Sequence, residues 1–246
     1  MTRQNQVLLQ GKALLSRFLL WYNLKMSIRK VPLVQDECYH IYSRGNSKRE
    51  IFHDRNDYER FKKLLYLANS DKNFRLETIK NVYEVERGNR LVSIGAYCQM
   101  PNHFHIIIKQ NGESGASKFM QKLLTAYTMY YNIRYERTGS LFEGKFKAEH
   151  LGNDRYLKYV FSYIHLNPVK LIYPDWKEDG LGDKKRVLNF LNKYAYSSFL
   201  DYLGENRPEK AILNRREFPN YFPSKRHFEN EILDWINYNN ETKLRE

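Results

Sequence analysis

The feature that most constrains the fold is a pair of apolar segments separated by a Pro-Asn step. Residues 91–99 and 103–109 are each long enough for a strand, and both are rich in apolar, β-branched or aromatic residues. Pro101 and Asn102 interrupt the pattern between them, as residues that favour turns do. The pattern predicts a β-hairpin, and therefore an antiparallel sheet, in which Phe104 and the alternate residues after it point into the core.

Further strands and helices are expected on both sides of this hairpin. The predicted order is β-α-β-β-α-β-α, with strands at 38–44, 91–99, 103–109 and 145–151 and helices at 57–68, 117–135 and 155–166. Residues 79–86 suggest an additional short strand. Asp154 is the expected cap of the last helix, which Pro168 should end near Asn167. This order predicts an α+β fold: a ferredoxin-like split β-α-β antiparallel sheet with helices on one face, plus an added helix.

Three segments are expected along the chain. Residues 1–25 are interpreted as an N-terminal extension, because the ordered pattern begins shortly after Met26, which is an alternative start of translation. Residues 26–171 contain the predicted strands and helices and form the main, catalytic domain. Residues 172–246 are predicted to be a helical C-terminal extension, and the sequence does not indicate a role for residues 205–246.

The chain is strongly basic, with 41 Lys and Arg against 28 Asp and Glu and a net charge of +13. Residues 201–246 hold 8 basic and 9 acidic side chains, so the excess belongs to the main body. Such a field favours a polyanionic partner. The 20 Tyr residues add aromatic faces on which bases of a single strand can stack. The alternatives are a solubilising surface charge and Tyr residues that only pack in a core.

The cysteines and the hydropathy pattern exclude several classes. Cys38 and Cys98 are too few for a disulfide framework, and they lack the CxxC spacing of a zinc knuckle. No apolar run reaches the length of about 18 residues that a transmembrane helix needs. The apolar segment 13–22 is interrupted by Arg17 and is not followed by the small residues of a signal-peptidase cleavage site. We therefore predict that it is not a signal peptide. We expect a cytoplasmic protein without a membrane partner.

Two histidines stand at alternate positions of the second hairpin strand. His103 and His105 should point to the same face, because alternate side chains of a strand share a face. Two imidazoles in this arrangement are positioned to hold one divalent metal ion. The pair alone does not supply the remaining ligands, and two exposed histidines on an edge strand are the alternative.

A tyrosine and an asparagine lie one turn apart on the last predicted helix. Tyr163 and Asn167 are at positions i and i+4 and therefore share a helix face. A phenol with a pKa of about 10 is a poor nucleophile unless a metal ion polarises its target. The amide oxygen of Asn167 is a candidate ligand for that metal. An amphipathic helix with a Tyr at its edge and an Asn at its C-cap is the alternative.

These features occur together with segments that resemble a known family. The matching segments are 39–52 (YHIYSRGNSKREIF), 96–108 (AYCQMPNHFHIII), 139–147 (GSLFEGKFK) and 156–168 (YLKYVFSYIHLNP). In their order and spacing they resemble the HUH (His-hydrophobe-His) nucleases, specifically the IS200-like single-tyrosine (Y1) transposases, and among these the REP-associated tyrosine transposases. The resemblance covers roughly residues 30–170 and continues weakly through 194–204.

The resemblance implies a set of roles. His103 and His105 match the two metal-binding histidines of the family, and Asn167 matches the position of its third ligand. Tyr163 matches the nucleophile, which becomes linked to a 5′ phosphate and leaves a free 3′ hydroxyl. The implied cofactor is Mg²⁺ or Mn²⁺, and the implied partner is single-stranded DNA that contains a hairpin. Relatives in transposons work as dimers, whereas a monomer is plausible for the REP-associated type, so both states are open. Four other tyrosines compete for the role of nucleophile: Tyr127, Tyr130, Tyr131 and Tyr159.

Basic side chains near these segments are candidate contacts to DNA phosphates. They are Arg44, Lys48, Arg49, Lys118, Lys122, Lys145 and Lys147. Each of them is equally compatible with a solvated surface charge. Two other functions stay open: a module that binds hairpins without catalysis, and a relaxase of plasmid replication or mobilisation. The absence of a P-loop and the presence of the YIHLNP segment argue against the relaxase.

Overall fold

A computed structural model describes residues 32–176 and 183–243, with side chains up to residue 236. The predicted extension at 1–25 lies outside the described residues. The described strands are β1 (Cys38–Arg44), β2 (Val92–Met100), β3 (His103–Gln110) and β4 (Lys147–His150). They form one antiparallel sheet in the order β2-β3-β1-β4. The hairpin of β2 and β3 and the split β-α-β order are confirmed.

Helices cover both faces of this sheet. The described helices are α1 (Arg55–Leu67), α2 (Gly115–Arg134), α3 (Asp154–Leu166), α4 (Lys184–Leu191), α5 (Phe199–Tyr202) and α6 (Lys225–Lys243). Phe61 of α1 packs against Phe104 of β3 and against Tyr127 of α2, with ring centroids 4.9 and 5.0 Å apart. His105, the next residue of β3, faces Tyr163 of α3. Adjacent strand residues point to opposite faces, so α1 and α2 share one face and the added helix α3 covers the other.

Helices α1, α3 and α4 begin at side-chain caps. The Asp54 carboxylate accepts hydrogen bonds from the first amides of α1. At α3 the cap is Asn153, whose side-chain oxygen accepts from the Tyr156 amide at 3.1 Å. The prediction of Asp154 as the cap was therefore wrong by one residue, since Asp154 already lies within the first turn, where its charge favours the helix dipole. No helix of the described segments is long and apolar enough to cross a membrane.

The segment after α4 closes the edge of the sheet at β2. The amide of Gln99 donates to the carbonyl of Tyr196 at 3.0 Å, and the amide of Ser198 donates to the carbonyl of Tyr97 at 2.9 Å. Backbone groups at an open sheet edge would otherwise be available to another chain. This part of the C-terminal region therefore belongs to the sheet layer.

The prediction of a short strand at 79–86 was wrong. The chain forms single 3-10 turns at Leu76–Thr78 and Val82–Glu84. The segment packs against α1, where the Tyr66 hydroxyl donates to the Val85 carbonyl at 2.9 Å. A strand must form backbone hydrogen bonds with a neighbouring strand. The edge of β2 is not available to residues 79–86, because the C-terminal segment already bonds to it.

Gly95 lets α3 lie close to the sheet. A Cβ at this position would be 2.8 Å from Phe161 Cζ of α3 and 3.0 Å from Phe218 Cζ. We expect Gly95→Ala to lower the free energy of unfolding by about 1–3 kcal/mol, because the two rings must shift in a packed core. Urea denaturation measures this change. Gly112→Ala is the control, since a Cβ there meets nothing within 4 Å. Equal stability of the two variants would contradict the prediction.

Candidate active site

One face of the sheet carries polar side chains from β1, β3 and β4. The register places Tyr42 opposite His105 and His40 opposite Glu149. Residues directly opposite each other in an antiparallel pair lie on the same face, and His40 and Tyr42 are two residues apart on β1, so all four side chains share this face. His40 and His105 are each 1% exposed. Burial of such groups is costly unless partners satisfy them, which makes this face the candidate site.

Helix α3 brings Tyr163 over these histidines. The Tyr163 ring meets the His105 ring edge-on at 5.8 Å and the His40 ring at 6.2 Å, with interplanar angles of 78° in both cases. Tyr163 is 5% exposed. The structure therefore places the predicted nucleophile and one predicted metal ligand side by side, although they are 58 residues apart in the sequence.

His103 lies beside His105, with the ring centroids 5.0 Å apart and the planes nearly perpendicular. Its Nδ1–H donates to Asn102 Oδ1 at 2.6 Å, which leaves Nε2 as the remaining ring nitrogen. Burial, together with the smaller effects of the positive charges of Lys170 and Arg44, lowers the pKa of His103 to about 3. The imidazole is therefore neutral at physiological pH, as a metal ligand must be.

Asn167 directly follows α3, one turn after Tyr163, and is 1% exposed. Neither its amide oxygen nor its amide nitrogen has a hydrogen-bond partner within the described segments. A buried polar group without a partner costs about 1–3 kcal/mol, so a ligand that satisfies the oxygen would remove a real penalty. Over those same segments no three His, Cys, Asp or Glu side chains are grouped as a metal site. The predicted ligands supply two imidazoles, which lie side by side, and the amide oxygen of Asn167, and donors of these types fit Mn²⁺ or Mg²⁺.

The sequence analysis did not identify two residues of this face, His40 and Glu149. His40 Nε2 lies 2.8 Å from His105 Nδ1, and His40 Nδ1 lies 3.6 Å from a carboxylate oxygen of Glu149. The Tyr42 hydroxyl donates to the other oxygen of that carboxylate at 2.9 Å. Burial raises the pKa of Glu149, but contacts with His40, Tyr42 and Tyr156 outweigh it and the net pKa is lowered. The alternation of His40 and Tyr42 on β1 was the signal available for His40; Glu149 is found only from the strand register.

The predicted phosphate contacts fall into two groups, and one of them lies near this face. Arg44 is opposite His103 in the strand register. Lys147 of β4 is opposite Tyr42, with its ammonium 5.9 Å from the ring centroid. Lys145 is exposed in the loop before β4. Lys48 and Arg49 lie at the 3-10 turn that follows β1.

The other group lies on α2, which packs on the opposite face of the sheet. Lys118 is exposed there. The Lys122 ammonium donates to the backbone carbonyls of Ser70 and Lys72 at 2.7 and 2.5 Å, and its burial lowers its pKa. The structure does not bring Lys118 or Lys122 to the face that carries His105.

The competing tyrosines divide in the same way. Tyr127, Tyr130 and Tyr131 are on α2, and their hydroxyls donate to Ile51 O, to Asp57 and to Glu50 O, respectively. Tyr159 is on α3 and stacks on Tyr163 at 6.2 Å. Its other side faces Trp235 of α6 at 5.0 Å. Only Tyr159 among the competitors is near the site, and burial raises the pKa of its phenol.

The sequence of this chain is similar to a family of transposases. The family model described as "Transposase IS200 like" matches residues 34–167, which is more than half of the chain. The chain therefore belongs to the IS200-like (Y1) transposase family, whose members are generally dependent on divalent metal.

A solved structure is also similar to this chain. It is described as "Structure of the REP associates tyrosine transposase bound to a REP hairpin", and it has a TM-score of 0.46 and 14% sequence identity. The match covers 75% of this chain and 90% of that chain. No curated protein matches the chain.

Proposed function

We propose that this protein cleaves and rejoins single-stranded DNA through a covalent intermediate on Tyr163. The observation that carries the proposal is the convergence of Tyr163 with His105 on one face of the sheet. Membership in a transposase family supports DNA as the substrate. The family resemblance also makes a strand with a hairpin the expected substrate.

The reaction is a transesterification at phosphorus. The Tyr163 oxygen forms a bond to the phosphorus, and the bond from phosphorus to the 3′ oxygen of the preceding nucleotide breaks. The phenolic proton is lost and the departing 3′ oxygen gains one, so the products are a 5′-phosphotyrosine and a free 3′ hydroxyl. Because one phosphodiester replaces another, the 3′ hydroxyl can attack the phosphotyrosine and reverse the step without ATP.

His103, His105 and Asn167 are the residues that would hold the metal ion. When bound, Mg²⁺ or Mn²⁺ supplies Lewis-acid polarisation of the scissile phosphate. The protein itself contributes a neutral His103, an Asn167 oxygen that no described residue satisfies, and a buried surrounding that strengthens electrostatic interactions.

Two labelled forms of one hairpin oligonucleotide test this function. With Mn²⁺ present, a 3′-end label should move with the protein on a denaturing gel, because the 3′ fragment carries the phosphate that Tyr163 binds. A 5′-end label should appear in a shorter free fragment that a polymerase can extend from its 3′ hydroxyl. Tight binding of the hairpin with no adduct from either label would instead favour the non-catalytic binding module.

We expect the strand to pass over the basic side chains on the face of Tyr163. Lys147→Ala should weaken binding of the oligonucleotide and lower the slope of log K against log salt by about 0.7, the value for one phosphate contact on a single strand. Lys118→Ala is the control, because Lys118 is exposed on α2 at the opposite face. Fluorescence anisotropy over a salt series measures both. Equal losses in the two variants would contradict this path.

A further inference from the structure

We propose that Arg49 and Arg137 form a second DNA site, which holds one backbone phosphate other than the phosphate that Tyr163 attacks. This inference rests on the proposed function only in taking DNA as the ligand. Its basis is the C-terminal end of α2, where Arg137 and the segment that carries Arg49 both contact Tyr131.

Arg137 is held beside the last turn of α2. Glu136 has a φ of 49°, which reverses the chain after the helix. The Arg137 amide then donates to the Asn132 carbonyl at 2.8 Å, and Asn132 Nδ2 donates to the Gly139 carbonyl at 2.9 Å. The guanidinium carbon of Arg137 lies 5.7 Å from the centroid of the Tyr131 ring. Both its backbone and this ring therefore fix the position of Arg137.

Arg49 approaches the same phenol from the end of β1. Its Nε donates to the Asn46 carbonyl at 2.9 Å, and the Tyr131 hydroxyl donates to the carbonyl of the next residue, Glu50, at 3.2 Å. Burial raises the pKa of Tyr131, and the positive charges of Arg137 and Arg49 both oppose this rise. Because the effect of a charge falls with distance, both guanidinium groups lie near this hydroxyl.

Neither guanidinium has an acidic partner among the described residues. Arg134, three residues before Arg137, differs, because its guanidinium pairs with Asp54 at 2.5 Å and with Asp57 at 2.9 Å. In the same part of the chain, Arg137 Nη1 is buried and has no hydrogen-bond partner. A buried donor of a charged group is costly when it is unpaired, so an anion bound here would remove that cost.

This pair of arginines adjoins one of the candidate metal ligands. The carbonyl of Lys48, the residue before Arg49, accepts from Asn102 Nδ2 at 3.2 Å, and Asn102 Oδ1 lies 2.6 Å from His103 Nδ1. DNA that binds beside His103 is therefore also near Arg49. Guanidinium groups bind phosphate through paired hydrogen bonds, and such contacts position DNA without reading its sequence. The ligand that fits is a phosphodiester of the DNA backbone.

The first test measures hairpin affinity by fluorescence anisotropy over a salt series. Arg137→Gln removes the charge, so it should weaken binding about tenfold and lower the slope of log K against log salt by about 0.7–0.9. Arg90→Gln is the matched control, because Arg90 is exposed just before β2, at the end of the sheet away from His103. Its affinity should stay within about twofold of the wild type. Equal affinities of the Arg137→Gln and wild-type proteins would overturn the proposal.

The second test locates the phosphate with hairpin oligonucleotides in which one backbone phosphate at a time is replaced by a neutral methylphosphonate. One replacement should weaken binding to the wild type but cause no further loss in Arg137→Gln, because both changes remove the same contact. Arg49→Gln should couple to that same position, and Arg90→Gln to none. The absence of a coupled position would reject the site, and so would coupling only at the phosphate that Tyr163 attacks.

These outcomes are separable from those of the proposed function. A wild type that binds the hairpin without an adduct would contradict cleavage and leave both affinity tests intact. An adduct together with wild-type affinity of Arg137→Gln would contradict only the second site. Thermal denaturation shows whether the variants are folded, and Arg49→Gln repeats the first test with the other arginine of the pair changed.

Discussion

We expect the Tyr163→Phe protein to form no covalent adduct with a hairpin oligonucleotide. The substitution removes the attacking oxygen, and loss of a nucleophile lowers turnover by at least about three orders of magnitude. The ring remains, so the contacts with His105 at 5.8 Å and with Tyr159 at 6.2 Å persist and the variant should fold. The measurement is a denaturing gel of 3′-labelled DNA after incubation with Mn²⁺.

Tyr159→Phe is the control for this experiment. Tyr159 lies one turn earlier on α3 and stacks on Tyr163, so the two variants remove the same group from neighbouring positions. Tyr159→Phe should retain the adduct, and both variants should bind the hairpin within about twofold of the wild type, because neither loses a positive charge. An adduct in Tyr163→Phe, or its loss only in Tyr159→Phe, would transfer the role of nucleophile to another residue.

Removal of the metal ion should have the second-largest effect. We expect chelation by EDTA to stop cleavage and added Mn²⁺ to restore it, because the phenol needs a polarised phosphate. His103→Ala should lower the cleavage rate at a fixed Mn²⁺ concentration by at least about a hundredfold. Loss of a residue that only contacts a metal ligand costs about 10- to 100-fold, and His103 is itself a predicted ligand. Binding of the hairpin should persist in both experiments, which anisotropy checks.

His150→Ala is the matched control, because His150 is an exposed histidine at the sheet edge that contacts Glu37. Its cleavage rate and its response to EDTA should equal those of the wild type. Cleavage that continues in EDTA-treated protein would show that the two imidazoles of β3 do not hold a required metal ion.

Local patterns were sufficient for most of the elements that build the site. The β1 bounds, the β2–β3 hairpin and the end of α3 near Asn167 agree with their predictions, because strand alternation, a Pro step and a helix end are encoded by residues close in sequence. The prediction of a strand at 79–86 was wrong because a strand also needs a partner strand from elsewhere in the chain, which local residue preferences do not reveal. That partner edge was already bonded to residues near Tyr196.

The amino-acid sequence by itself determined which side chains share a local face: His103 with His105 at strand spacing, and Tyr163 with Asn167 at helix spacing. Only the tertiary structure decided that α3 covers the polar face while α2 covers the other. As a result, Lys147 and Lys118 lie on opposite faces of the sheet. The strand register brings His40 and Glu149 to the same face as His105. The physical reason is that backbone geometry sets local periodicity, whereas strand register and layer order depend on contacts between residues far apart in the chain.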